Sequence, residues 1–332
     1  MMSFSVAKMK IIVAPLNWGL GHASRSAVLV EKMLADGHEV LLAGNGMSLT
    51  LLRRRFPDLR YVNLSDLKLT YSRGSTQVPA LLRQVPKILR CALRDRQMLN
   101  QLLDIEHFDL LVSDNRFLLR SSRLRSVYLT HQLQILMPKR WRWLEPLANA
   151  VNRRMISHYD ECWVPDNEKI SLSLARRLSH PTRMPKCKVK YIGPLSRFSA
   201  LTSDNGNNQD MRYDVVAVLS GLEPQRTMLE EQIIKDYLGK PEEVLIVRGL
   251  ISQPKIKTRK QYLTFVPSLD DQPLAAAISL CSRVIARSGY STLMDLSALG
   301  ALHKATLIPT PGQSEQEYLA SLYKSQDQSQ NS

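Results

Sequence analysis

The sequence predicts an α/β protein built of two consecutive doubly wound parallel-sheet domains. Three observations carry that expectation. Short apolar runs alternate with helical patterns along most of the 332 residues, the pattern left by βαβ units. The alternation breaks once, at the polar, glycine- and asparagine-rich "SRFSALTSDNGNNQDMR" (196–212), and then restarts. Finally, apolar runs repeatedly end in glycine-containing loops that open helices, which is where such sheets bind ligands. The length suits two domains of roughly 150 residues each. The expected division is an N-terminal domain at 1–199, a linker at 200–212, a C-terminal domain at 213–326 and an unstructured tail at 327–332.

In the N-terminal half, strands are expected at "KIIVAPL" (10–16), "HEVLLAG" (38–44), "DLLVSD" (109–114), "SVYLTHQ" (126–132), "ECWVP" (161–165) and "KYIGPL" (190–195), with helices including 22–36, 79–103 and 142–158. In the C-terminal half they are expected at "YDVVAVLSG" (213–221), "EVLIVRG" (243–249), "YLTFVP" (262–267), "SRVIARSG" (282–289) and "KATLIPT" (304–310). Helices are expected from about 224, 272 and 290.

Charge divides along the same line. Residues 1–199 hold 32 Lys+Arg against 15 Asp+Glu, a balance of +17, whereas residues 200–332 hold 13 against 15, a balance of −2. A basic half implies an anionic partner. No recognition motif accompanies the charge, so nucleic acid is not expected. Cys91, Cys162, Cys187 and Cys281 form no C-x-x-C pair and sit in or beside apolar runs, as reduced cytosolic thiols do. "MMSFSVAKMK" has no signal-peptide pattern, and no stretch is long and apolar enough for a transmembrane helix.

The loop "NWGLGHASR" (17–25) has glycines where a dinucleotide site would have them. Yet the second strand ends in "LLAGNG", with no acid to hold a ribose, so a nicotinamide dehydrogenase is not expected. His22 closes the loop at a helix start, where an imidazole can act as general base or contact an anion. Its plainer alternative is a histidine bonded only to its own loop. Asp114 in "SDNR" and His131 in "THQ" end neighbouring strands and are the other candidate bases.

Similar turns recur in the C-terminal half. "SGLEPQR" contributes Ser220, Gly221 and Arg226, "VRG" contributes Arg248, and "ARSGYSTLMDL" contributes Arg287, Ser288 and Gly289, with Asp295 two turns into the following helix. Backbone N–H groups at a helix start and nearby arginines suit phosphate. Glu315 and Gln316 in "PTPGQSEQEYLA" can hold sugar hydroxyls or simply cap the helix.

From "TFVPSLDDQPLAAAISLCSRVIARSGYSTLMDLSALG" through "LIPTPGQSEQEYLA", the chain resembles the nucleotide-sugar-binding domain of family 28 GT-B glycosyltransferases, which include the MurG-type UDP-N-acetylglucosaminyltransferases. The opening loop through Gly21 and His22 looks like that family's "GGTGGH" loop, though with a shorter glycine run. The resemblance is specific over 260–320 and looser over 1–200. It implies two Rossmann-like domains facing across a cleft and an inverting transfer from a UDP-sugar, an N-acetylhexosamine by analogy. It further implies Phe265 and Val266 beside the base, Arg287, Ser288 and Gly289 beside the diphosphate, and Asp295 on the ribose, where the family usually has Glu. Glu315 and Gln316 would hold the sugar, and His22 would face the reacting centre. Family members end in helices that cross back to the N-terminal domain, so the C-terminal domain reads as shortened. No metal or other cofactor is expected, since no D-x-D stands where one would bind. A nucleotide-sugar epimerase or a non-catalytic nucleotide-sugar-binding protein on the same fold is the alternative.

Within that frame, 81–103 and 137–156 place tryptophan and leucine beside clustered Lys and Arg, as helices resting on anionic lipid headgroups do. The resulting expectation is a cytoplasmic enzyme, peripheral at the inner membrane face, acting on a lipid-linked or glycan acceptor. A merely solvated basic face is the alternative for both segments.

Overall fold

The computed structural model describes residues 7–65, 78–201, 213–221, 223–250, 254 and 256–329. The chain forms two compact units that divide between Leu195 and Ser196, four residues before the expected boundary. Residues 202–212 of the expected linker lie outside the described residues.

The N-terminal unit contains β1 (Lys10–Pro15), α1 (Leu20–Ala35), β2 (Glu39–Gly44), α2 (Gly46–Arg55), β3 (Tyr61–Asn63), α3 (Val78–Ile105), β4 (Leu110–Asp114), β5 (Arg125–Leu129), α4 (Glu145–Ile156), β6 (Glu161–Val164) and β7 (Lys188–Tyr191). A 3-10 turn at Lys139–Leu144 leads directly into α4. The strands pair in parallel in the order β3-β2-β1-β4-β5-β6-β7. Central strands of a parallel sheet are covered on both faces and read as unbroken apolar runs; Ile11, Ile12, Val13, Leu111 and Val112 are accordingly buried.

Helix α1 starts after Gly19, whose φ of +81° suits a residue without Cβ. It ends in a Schellman motif, in which the Gly37 N–H donates to the Leu34 carbonyl and the His38 N–H to that of Met33. That turn feeds the chain straight into β2. The numbering reverses at β1, which lies between β2 and β4. Ligands bind at the carboxyl ends of the strands flanking such a switch point.

The C-terminal unit contains β8 (Val215–Val218), α5 (Gln225–Tyr237), β9 (Val244–Val247), β10 (Thr258–Lys260), β11 (Leu263–Val266), α6 (Asp271–Leu280), β12 (Arg283–Arg287), α7 (Tyr290–Ala298), β13 (Ala305–Ile308) and α8 (Ser314–Ser329). Its sheet order is β10-β11-β9-β8-β12-β13, parallel except for the edge strand β10. The switch point here falls between β8 and β12. Helix α8 runs to Ser329, so 327–329, expected to be unstructured, continue it.

All four cysteines are free, with Cys162 and Cys281 buried and Cys91 and Cys187 half-buried. Burial raises the Cys162 and Cys281 thiols above the ordinary range. Among the described residues, no helix is long and apolar enough to cross a membrane.

Candidate active site

The three residues put forward as candidate bases converge at the N-terminal switch point. In register, Pro15 at the end of β1 faces Asp114 at the end of β4, and the Leu16 N–H donates to the Asp114 carbonyl at 2.9 Å. The loop after β1 brings in α1, whose first turns present His22, Arg25 and Ser26 on one face at i, i+3 and i+4. Both Asp114 carboxylate oxygens are engaged. Oδ2 accepts from Arg25 Nε at 2.9 Å and Ser26 Oγ at 3.0 Å, and Oδ1 accepts from Arg25 Nη2. His22 Nδ1 lies 2.9 Å from Asp114 Oδ1 and equally 2.9 Å from Arg25 Nη2. Arg25 Nη1 reaches His131 Nδ1 at 3.2 Å, and because guanidinium only donates, that nitrogen accepts.

Asp114 is fully enclosed. Burial alone would raise its carboxyl, but Arg25 and His22 together outweigh that and hold it far below the usual carboxylate range. It is therefore a buried anion with no room to act as the base. Burial lowers His22, and the Arg25 guanidinium adds to this; Asp114 opposes both without prevailing. The lowered pKa favours the neutral imidazole, and its contacts admit two tautomers. With the proton on Nδ1, it donates to Asp114 and Nε2 carries a lone pair. With the proton on Nε2, Nδ1 accepts from Arg25 and the ring becomes a donor. Only the first can remove a proton from a substrate.

Arg25 is the residue the sequence reading missed. Its signal was its place one turn after His22, on the same helical face.

The C-terminal candidates also gather at strand ends, but most are occupied by neighbours. Arg226 is not the available cation expected: it pairs with Glu223, and its Nη1 donates to Glu230 at 3.1 Å and to the Arg248 carbonyl at 3.3 Å. Acids at i−3 and i+4 account for this. Arg248 shares Glu230 at 2.8 Å. Arg287 is buried, and its two terminal nitrogens donate to the Pro309 and Gln225 carbonyls at 2.9 and 2.6 Å, tying β12 to the ends of β13 and the start of α5. Burial lowers its pKa.

Ser220 and Gly221 follow β8, and Gly221 has φ of +98°. Gly289 precedes α7 with an ordinary extended backbone. Ser288 Oγ donates to the Gln316 carbonyl at 2.8 Å. Gln316 is occupied by the turn that precedes α8, its Oε1 accepting the Thr310 N–H at 2.8 Å and its Nε2 donating to Gln313 Oε1 at 2.6 Å. Glu315 stands beside it in the first turn of α8. Phe265 is half-exposed next to buried Val266, whose carbonyl accepts the Arg248 N–H at 2.9 Å.

Asp295 has an unexpected setting. Oδ1 accepts from Ser196 Oγ at 2.7 Å and Oδ2 from Arg197 Nε at 3.0 Å, which fastens the segment entering this unit to α7. Burial raises its pKa, although Arg197 and Ser196 pull the other way. Among the described residues, no group of three or more His, Cys, Asp or Glu side chains could hold a metal ion.

No protein-family model and no curated protein matches the chain. Solved structures do match over nearly its full length. The glycotransferase of kitacinnamycin is 12% identical, with 96% of each chain covered and a TM-score of 0.57. MurG of Acinetobacter baumannii is 14% identical, with 96% of this chain and 84% of that one covered and a TM-score of 0.53. A Listeria monocytogenes protein assigned as a UDP-N-acetylglucosamine 2-epimerase is 12% identical, covering 97% and 90%, with a TM-score of 0.54. The chain has the two-domain GT-B fold. At these identities the likeness is one of fold.

Proposed function

We propose that the protein is an inverting, UDP-sugar-dependent glycosyltransferase of the family 28, MurG-like kind, moving an N-acetylhexosamine to a lipid-linked or glycan acceptor at the inner membrane face. The observation that carries this reading is His22 Nδ1 lying 2.9 Å from the buried Asp114 carboxylate at the switch point of the N-terminal unit, with burial drawing the imidazole's pKa down and Arg25 and His22 holding the carboxyl low. In the transfer, the acceptor hydroxyl oxygen bonds to the anomeric carbon as the bond to the diphosphate oxygen breaks. The acceptor proton passes to His22 Nε2, and the electron pair leaves with UDP. Asp114 stabilises the imidazolium that forms. In the other domain, backbone N–H groups at Ser288 and Gly289 would face the charge growing on the diphosphate. Arg226 and Arg248 are neutralised by Glu223 and Glu230, and Arg287 is tied to backbone carbonyls, so these arginines brace the loops rather than meet the diphosphate. Phe265 and Val266 would border the base, Asp295 the ribose, and Glu315 with Gln316 the sugar. Nothing in this reaction requires a cofactor. The exposed apolar ridges and cations of α3 and α4 support the membrane-face part of the reading.

The test is transfer of label from UDP-N-acetylglucosamine into the lipid or glycan fraction of a membrane extract. His22→Ala should abolish transfer while UDP affinity stays within a few-fold; intact transfer would remove His22 as the base. The similarity to the Listeria protein assigned as a 2-epimerase favours one alternative. An epimerase would convert the donor without any acceptor, and product analysis in the absence of extract separates the two.

A further inference from the structure

His131 is buried, and the proposed transfer gives it no task. Its backbone is held from both sides. The Thr130 N–H donates to the Trp163 carbonyl at 3.1 Å, which extends the pairing of β5 with β6. The Gln132 N–H donates to Thr130 Oγ1 at 3.0 Å, and Asn152 Nδ2 of α4 donates to the Gln132 carbonyl at 3.2 Å. The imidazole therefore stands on a rigid mount, as a group that orients another must. Its Nδ1 accepts from Arg25 Nη1 at 3.2 Å, so in the neutral ring the proton sits on Nε2. With the Nδ1 lone pair committed and Nε2 protonated, neither nitrogen can take a proton from an acceptor hydroxyl. His131 is not a second base while this contact stands.

What the contact fixes is Arg25. This buried guanidinium is gripped along one edge by Asp114, Nε donating to Oδ2 at 2.9 Å and Nη2 to Oδ1. His131 holds the Nη1 corner. Arg25 Nη2 also lies 2.9 Å from His22 Nδ1, the same distance at which Asp114 Oδ1 stands from that nitrogen. That balance decides what His22 can do. When Nδ1 donates to Asp114, Nε2 keeps a lone pair; when Nδ1 accepts from Arg25, the proton moves to Nε2. A guanidinium is planar and rigid, so one held at Nε and at Nη1 cannot swing Nη2 further onto the imidazole. Released at Nη1, its plane can tilt toward His22 Nδ1, the other imidazole acceptor within reach.

We propose that His131 is a positioning residue: by holding Arg25 at Nη1, it keeps His22 Nδ1 for Asp114 and leaves His22 Nε2 open as the base. The catalytic consequence rests on the proposed transfer reaction; the tautomer itself does not. Selective nitrogen-15 labelling of histidine reads the tautomer from the ring-nitrogen NMR shifts, the His22 signals being those lost in His22→Gln. At neutral pH, wild type should carry the His22 proton mainly on Nδ1. His131→Leu should move it to Nε2 and lower kcat by about tenfold or more, with KM for the UDP-sugar unchanged. His131→Asn, whose Oδ1 can still accept from Arg25, should restore both. A wild-type His22 protonated on Nε2, or a tautomer unmoved in His131→Leu, would overturn the proposal. So would a His131→Asn enzyme as inactive as His131→Leu, the mark of a direct catalytic role. If His131→Leu does not fold, the wild-type and His131→Asn spectra still decide, since Nε2 protonation in either contradicts the assignment. A tautomer that switches as expected in a protein without transferase activity sinks the transfer reading alone. Transfer that persists with no tautomer change sinks the positioning role alone.

Discussion

His22 has an ordinary value of 6.5 from which burial draws it downward, and this fixes the sign of a pH effect. A base with a lowered pKa stays deprotonated into more acidic solution. The acidic limb of kcat/KM should therefore lie below pH 6.5, and a limb at or above that value would contradict the assignment. Arg25 contributes to the lowering and competes for Nδ1. Arg25→Met should move the limb upward and, by leaving Asp114 buried without its partner, cost about 3–5 kcal/mol of stability by denaturant unfolding. The sequence made His22, Asp114 and His131 legible as separate strand-end candidates, because loops after parallel strands are where sites form. Their meeting was not legible, since it depends on β1 and β4 being neighbours, and adjacency in a sheet leaves no local trace. Arg25 was readable in principle from its spacing, one helical turn after His22.

At the scale of elements, continuous apolar runs such as "KIIVAP" and "VLIV" announced the central strands to within three residues at either end. Strands β3 and β10 left no such signal: they are short, largely exposed edges reading "YVN" and "TRK". The pairing of Arg226 with Glu230 was visible as an i, i+4 spacing, yet an arginine just after a glycine turn equally fits a phosphate ligand. Gly249 joins β9 to its loop with φ of +71°, and a Cβ there would meet the Leu219 carbonyl oxygen at 2.6 Å. Gly249→Ala should lower stability by about 2 kcal/mol or more, from the left-handed backbone and the clash together; a neutral result in urea unfolding would refute that reasoning. Asp295 poses a sharper choice. Asp295→Ala should weaken UDP binding if the carboxylate reaches the ribose. Unchanged affinity with lost stability would make it solely the anchor for Ser196 and Arg197.

Across the whole molecule, the sequence and the fold agree on two doubly wound units, and the basic surplus of +17 belongs to the half that carries the His22 site. The C-terminal unit, nearly neutral overall, has its candidate donor loops braced by internal ion pairs, so backbone N–H groups rather than free cations are left to meet a diphosphate. The central claim is that this unit binds a UDP-linked sugar, and thermal unfolding in the presence of a panel of nucleotide sugars tests it most directly. Ligand at 100-fold above its Kd adds about 2.7 kcal/mol to the folded state, enough to raise Tm by several degrees in a chain of this size. The prediction is a saturable rise with a UDP-sugar and none with NADH. A melting curve unmoved by every nucleotide sugar would contradict the account.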